Sequence, residues 1–296
     1  MGRARIVAGL IVALLAAWGA GCGRERPITV GSKNFTEQVI LGEIVAQHLE
    51  HRLGQRVNRK LNLGGTLLVH QALVNGDIDL YPEYTGTALT AVLKLPPVRE
   101  PAPALASVRD EYRQRFGVEW MEPLGFNNTF AMVIRGTDAR QHRIKTLSDA
   151  AGYDSGWTLG VGYEFQQRAD GLDGLLKTYK LPVKGSPKTM DLGLLYKALE
   201  QRQVDMVAGN ATDGRLAVLD VLVLRDDKHY FPPYDCMLAV RAHLLKTRPG
   251  AREALAELAG RFSDLAMQKL NYHVDGEHRP VQDVAREFLR DQGLHP

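Results

Sequence analysis

Cysteine is nearly absent: the chain has 296 residues and two cysteines, Cys22 and Cys236. A disulfide framework of the kind that staples small exported domains is therefore excluded, and stability has to come from a buried core. Excess charge is lacking too. The formal charge is +3, basic residues never run to five in a row, and removing Arg3 and Arg5 with the leader leaves about +1. That is too little for an electrostatic footprint on nucleic acid, and no nucleic-acid partner is expected. Catalytic signatures are missing as well. There is no Gly-x-x-x-x-Gly-Lys-Ser/Thr phosphate loop, no Gly-x-Ser-x-Gly nucleophile turn and no His-Glu-x-x-His metal pair. Gly160-Val161-Gly162 lacks the third glycine of a dinucleotide fingerprint, and Glu164 would repel a pyrophosphate. His48 and His51 lie one helical turn apart beside Glu50 and Arg52, which reads as a solvated helix face and not a metal site. No enzyme, metal or cofactor is expected.

Arg3 and Arg5 precede an apolar run, residues 6–18, followed by Gly19-Ala20-Gly21-Cys22. A basic start, an apolar run and small residues describe a secretory signal peptide, and the run is too short to span a bilayer comfortably. Cys22 after Ala20-Gly21 resembles a bacterial lipobox, although Gly19 stands where an aliphatic residue is usual. The reading is a signal peptide over 1–21, a lipidated Cys22 opening a linker over 22–26, and an exported, membrane-anchored protein. Cys236, next to Met237-Leu238-Ala239-Val240, is then a lone buried thiol.

What the chain does have is an alternation of short apolar strands with amphipathic helices, the pattern of an α/β fold. Strands are expected at 28–31, 57–63, 78–81, 131–134, 157–163 and 204–207, and helices at 66–75, 171–179 and 190–202. Asn34 with Glu37 fits an N-cap for a helix running to Gly54. Asp77–Thr87 (DIDLYPEYTGT) is the most informative segment: a buried strand that breaks at Pro82 and carries tyrosines and a threonine into the next turn. Strand carboxyl ends are where open α/β sheets hold ligands. Tyr81 should point away from Leu80 and pack beneath.

That segment has an echo. Ala72-Leu73 followed by Ile78-Asp79-Leu80 is matched by Ala198-Leu199 followed by Val204-Asp205-Met206. In this register Tyr84 falls opposite Asn210, and Thr85-Gly86 near Thr212-Asp213-Gly214. Two such units suggest two lobes facing one cleft, one over 27–124 plus 236–296 and the other over 125–235, with two chain crossings forming a hinge. One continuous α/β domain is the alternative that the pattern leaves open.

Several segments, in order, resemble the substrate-binding proteins of osmoprotectant ABC importers, the glycine betaine, carnitine and choline receptors. They are Gly31–Gln38 (GSKNFTEQ), Asp79–Thr87, Gly125–Ala131 (GFNNTFA), Glu164-Phe165 with Arg168-x-Asp170-Gly171, Thr212-Asp213-Gly214, and Asp226-Asp227-Lys228 through Phe231-Pro232-Pro233-Tyr234. The resemblance implies a two-lobed, Venus-flytrap periplasmic-binding fold of type II, a betaine-type ligand, a monomer, and docking on an ABC permease with its ATPase. Such a ligand has a trimethylammonium head without hydrogen-bond donors, held by aromatic faces at about 0.5–2 kcal/mol per ring. Carried over from the family, the cage is Tyr84, Phe130, Asn210 and Tyr234, with Gln38 and Thr87 on the polar tail. Arg215 is a candidate for a ligand carboxylate, and Arg168 with Asp170 a structural pair. Phe130 and Asn210 both stand where the family usually carries tyrosine, and the lost ring at Asn210 is worth about tenfold in affinity. Neutral Thr87 favours a zwitterionic betaine over choline. Ergothioneine or a polar amino acid is the alternative ligand.

Overall fold

A computed structural model describes residues 26–295, so the leader and Cys22 lie outside the described residues. Two five-stranded sheets organise it. The first contains β1 (Thr29–Gly31), β2 (Asn58–Lys60), β3 (Leu80–Tyr84), β4 (Val118–Trp120) and the late strand β10 (Cys236–Arg241), in the order β2-β1-β3-β10-β4. The second contains β5 (Phe130–Arg135), β6 (Leu159–Val161), β7 (Lys188–Thr189), β8 (Met206–Asn210) and β9 (Val221–Val223), in the order β7-β6-β8-β5-β9. Each sheet has parallel pairs on one side (β1 with β2 and β3, β6 with β7 and β8) and antiparallel pairs on the other. The chain passes between lobes twice, and the crossing segments pair with each other: Asn128 N–H donates to the Tyr234 carbonyl at 3.1 Å and Cys236 N–H to that of Phe126 at 3.2 Å.

Both faces of each sheet are covered, as alternation along the strands requires. Leu80 and Tyr84 pack with Leu238 and Val240 on one face of the first sheet, and Tyr81 packs with Met237 and Ala239 on the other, so Tyr81 and Leu80 do point apart. Met132 and Ile134 against Ala131 and Val133 divide the second sheet in the same way. Cys236 is a free, buried thiol in the first core.

Three expectations need correction. The strand does not break at Pro82, which lies inside β3. β1 pairs with β3 at Leu80, short of Pro82, so the missing N–H leaves no β1 ladder partner unmet. Asn34 does not cap the first helix, Thr36–Leu53; Phe35 is its cap residue, without a side-chain bond, and Glu37 turns inward. His48 is not on a solvated face. The helices Ala251–Ala256 and Val281–Asp291 pack over Thr36–Leu53, and His48 Nε2 lies 2.9 Å from the Ala254 carbonyl and 3.1 Å from Glu257. The long-range cover is what a local pattern misses.

The sequence echo is a structural equivalence. Asp79 N–H donates to the Thr29 carbonyl at 2.7 Å while the Asp79 carboxylate accepts from Thr29 N–H at 2.9 Å. Asp205 repeats this with Thr158, at 2.8 and 3.2 Å. An arginine ending the antiparallel neighbour strand completes each unit: Arg241 lies 3.8 Å from Asp79 and Arg135 2.8 Å from Asp205. Arg26 adds a 2.5 Å pair to Asp79, whose side chain is 5% exposed against 32% for Asp205. Asp79→Ala therefore leaves the buried Thr29 N–H without its acceptor, while Arg26 and Arg241 stay partly solvated, and is expected to cost on the order of 2–3 kcal/mol. Asp205→Ala, with solvent to relieve it, should cost about 1 kcal/mol. Urea midpoints of the two variants check this; equal shifts would contradict it.

Candidate functional site

A cavity of about 660 Å³ lies between the lobes, in the size range of small-molecule sites. The carboxyl ends of β3 and β8 meet there, because their last residues, Tyr84 and Asn210, both line it. Thr87, Phe130, Tyr234 and Arg215 line it as well. Six of the seven residues named as ligand contacts from the sequence thus come together. The seventh, Gln38, does not line the cavity. It is fully buried behind Tyr84, donating from Nε2 to the Tyr84 hydroxyl at 3.0 Å while its Oε1 accepts from Lys33 N–H.

Aromatic rings from both lobes line the cavity, among them Phe35, Tyr84, Phe130 and Tyr234. Phe130 and Tyr234 meet edge to face with centroids 5.6 Å apart, and Phe35, which sequence reasoning passed over, stacks on Tyr84 at 6.4 Å. Gly86 seats Tyr234: a Cβ there would fall 2.8 Å from the Pro233 carbonyl and 2.9 Å from the Tyr234 ring. The Asn210 amide, which stands where the family usually carries tyrosine, makes no side-chain hydrogen bond to another described residue.

Arg168 does more than pair with Asp170. It reaches from the second lobe into the first, donating to Thr87 Oγ1 at 2.9 Å and Thr90 Oγ1 at 3.2 Å, and it also donates to the Tyr234 hydroxyl at 3.2 Å. Its guanidinium carbon sits 5.2 Å from the Phe130 centroid and 5.5 Å from that of Tyr234, within cation–π range. Burial would push the Asp170 carboxyl up, but the Arg168 guanidinium at 2.5 Å holds it below the ordinary value. Glu164 makes another bridge, accepting from Thr66 N–H at 2.9 Å at the start of the helix Thr66–Asn75. Burial raises the Glu164 carboxyl too, and Lys33, that N–H and Arg168 together bring it below normal.

Glu37 is the least expected member. It is 2% exposed and accepts from Tyr84 Oη at 2.5 Å, Asn128 Nδ2 at 2.9 Å, Asn271 Nδ2 at 3.3 Å and Thr212 Oγ1. Burial raises its pKa against the lowering effect of all four bonds. Nearby, Lys33 is neutralised by Glu83 at 2.5 Å, and its ammonium lies 4.9 Å from the centre of the Tyr84 ring. Among the described residues no group of His, Cys, Asp and Glu could hold a metal ion.

The arrangement can hold a small polar solute between rings and fixed charges. The family model for the substrate-binding domain of ABC-type glycine betaine transport systems, OpuAC, matches residues 26–291. The chain belongs to this family. The carnitine transport binding protein OpuCC of Listeria monocytogenes is 35% identical over 274 residues, covering 92% of this chain and 89% of that protein. The ergothioneine transport permease/ergothioneine binding protein EgtU of Helicobacter pylori is 36% identical over 272 residues, 91% of this chain and 48% of that protein. A crystal structure of a glycine betaine/carnitine/choline ABC transporter superposes with a TM-score of 0.78 at 31% identity, covering 90% of this chain and 99% of that one. The two-lobed, type II periplasmic-binding fold and the role of a transport receptor follow from this membership. No helix among the described residues is long and apolar enough to cross a membrane.

One titration in this OpuAC-family cleft is open to direct test. Burial, with Asp275 and Glu37 adding to it, pushes the Asp213 carboxyl from 3.8 up to about 6. The folded protein then keeps a proton that the unfolded chain has lost, so stability falls as pH rises from about 4 to about 6 and stays lower above. Asp213→Asn keeps the acceptor for Arg215 N–H and removes the charge. It should raise the melting temperature at pH 7.5 and leave it nearly unchanged at pH 4; a uniform shift would contradict the assignment.

Proposed function

We propose that this protein is the extracytoplasmic receptor of an ABC importer, capturing a betaine-type zwitterion by closure of the lobes 27–124 plus 236–296 and 125–235 and delivering it to a permease driven by its ATPase. Anchorage through a lipid on Cys22, a monomeric state and the absence of any catalytic step belong to the same reading. The observation that carries it is the pairing, around one cavity, of an aromatic wall with the buried Arg168 guanidinium, which bonds Thr87 and faces Phe130 and Tyr234. The trimethylammonium group is placed against Tyr84, Phe130 and Tyr234 by cation–π attraction, and the carboxylate against Thr87 and Arg168, with Arg215 in reach of the same cavity. Choline, having no carboxylate, would forgo the charge-assisted contact with Arg168 and Thr87. Gln38 acts here by holding Tyr84, not by touching the solute.

Calorimetric titration with glycine betaine, proline betaine, carnitine, choline, ergothioneine and free amino acids tests this. A betaine is expected to bind at least tenfold more tightly than choline. Silence from every trimethylammonium compound, together with tight binding of another solute, refutes the reading. Tyr84→Ala should weaken binding by tenfold or more, about the worth of one cage ring, and Tyr81→Phe by less than twofold.

A second reading has its own support. The unpartnered Asn210 amide and a cavity roomier than a small betaine needs suit a larger betaine with a hydrogen-bonding side chain, such as ergothioneine. Asn210→Tyr separates the two: it should tighten glycine betaine binding under the first reading and weaken the preferred ligand severely under the second.

A further inference from the structure

We infer that Glu37 is the counter-charge that makes this cavity select a cation, a specificity-determining residue acting on the ligand's ammonium across the site and through the Tyr84 ring. The inference rests on the reading that the ligand is a quaternary amine.

The charge inventory of the cavity leads there. Lys33 is offset by Glu83 and Arg168 by Asp170, each at 2.5 Å and each pair buried. Glu164 spends its charge on the first backbone N–H of a helix and on the fields of Lys33 and Arg168. Glu37 also lines the cavity, but its four donors are all neutral, and no lysine, arginine or histidine among the described residues bonds it. An ionised carboxylate taken out of water without a cation is strongly disfavoured, and neutral hydrogen bonds offset only part of that. A positively charged solute supplies what the chain withholds. Asp213 and Asp275, on the same cavity wall, add negative charge, and Arg215 beside Asp213 offsets part of it.

The connection to the cage is direct. The Tyr84 hydroxyl receives a hydrogen bond from Gln38 Nε2, which leaves its own proton directed at Glu37, 2.5 Å away. Burial and the neighbouring Glu37 charge hold the Tyr84 pKa well up, so the proton stays on the phenol. A phenol donating to a carboxylate carries more electron density in its ring, and a richer ring face attracts a cation more strongly. The other donors come from the first crossing segment (Asn128), the second lobe (Thr212) and the late helix Asp264–Asp275 (Asn271), so the charge is fixed at the place where the lobes meet.

The test compares glycine betaine with its carbon isostere, tert-butylacetate, which has the same shape and carboxylate but an uncharged head. The wild type should prefer glycine betaine by about a hundredfold or more. Glu37→Gln should cut that preference at least tenfold by weakening betaine alone, and Tyr84→Phe, which keeps the ring and removes the hydroxyl link, should cut it about threefold. Equal losses for both ligands, leaving the ratio unchanged in Glu37→Gln, would mean that Glu37 is only a scaffold and would overturn the inference. Should Glu37→Gln fail to fold, an unchanged ratio in Tyr84→Phe overturns it instead. A wild type that binds no trimethylammonium compound defeats the functional reading itself, an outcome distinct from either.

Discussion

The structure turns on one buried carboxylate. Glu37 ties the first helix to the end of β3 through Tyr84, to a crossing segment through Asn128, to the second lobe through Thr212 and to the late helix through Asn271. Each bond offsets some of the cost of keeping the group out of water, and each draws in a different part of the chain. Gly214, next in space, has room for no side chain against the backbone of Tyr272, which lets the second lobe approach that helix closely. The interlobe geometry and the polarity of the cavity thus have a common origin.

The fold was legible wherever the signal was local or repeated. Strand ends at Tyr84 and Asn210 could be matched because the two lobes are copies of one plan, down to an aspartate that closes onto the start of a neighbouring strand, Asp79 onto Thr29 and Asp205 onto Thr158. The approach of Tyr84 and Asn210 to one cleft follows from that plan and from the tendency of open α/β sheets to hold ligands at strand carboxyl ends. What stayed hidden depended on distant chain. Glu37 three residues after Asn34 reads as a helix cap, and its true partners lie 91, 175 and 234 residues away at Asn128, Thr212 and Asn271. His48 looked solvated because the carbonyl that covers it is 206 residues on.

Arg168 shows the same limit in the site. Two residues from Asp170, it reads as half of a local ion pair, and that pair exists. The bonds that give it meaning run across the cleft to Thr87 and Thr90, 81 and 78 residues away. An arginine held by an aspartate in this way is charged, oriented and partly neutralised. It attracts an anion without demanding a second buried counter-ion of its own.

The two lobes share a plan but do not present equal walls. On the first, Tyr84 is held at its hydroxyl by Gln38 and Glu37 and backed by Phe35, so neither its position nor its proton is free. On the second, the equivalent strand end offers Asn210, an amide that bonds no side-chain or backbone partner among the described residues. A rigid ring fixes where a cation sits, whereas an uncommitted amide adapts to whatever the rest of the solute carries. In the proposed function the ammonium head is read by Tyr84, Phe130 and Tyr234 and the carboxylate by Thr87 and Arg168, which leaves Asn210 to discriminate among solutes that share both groups.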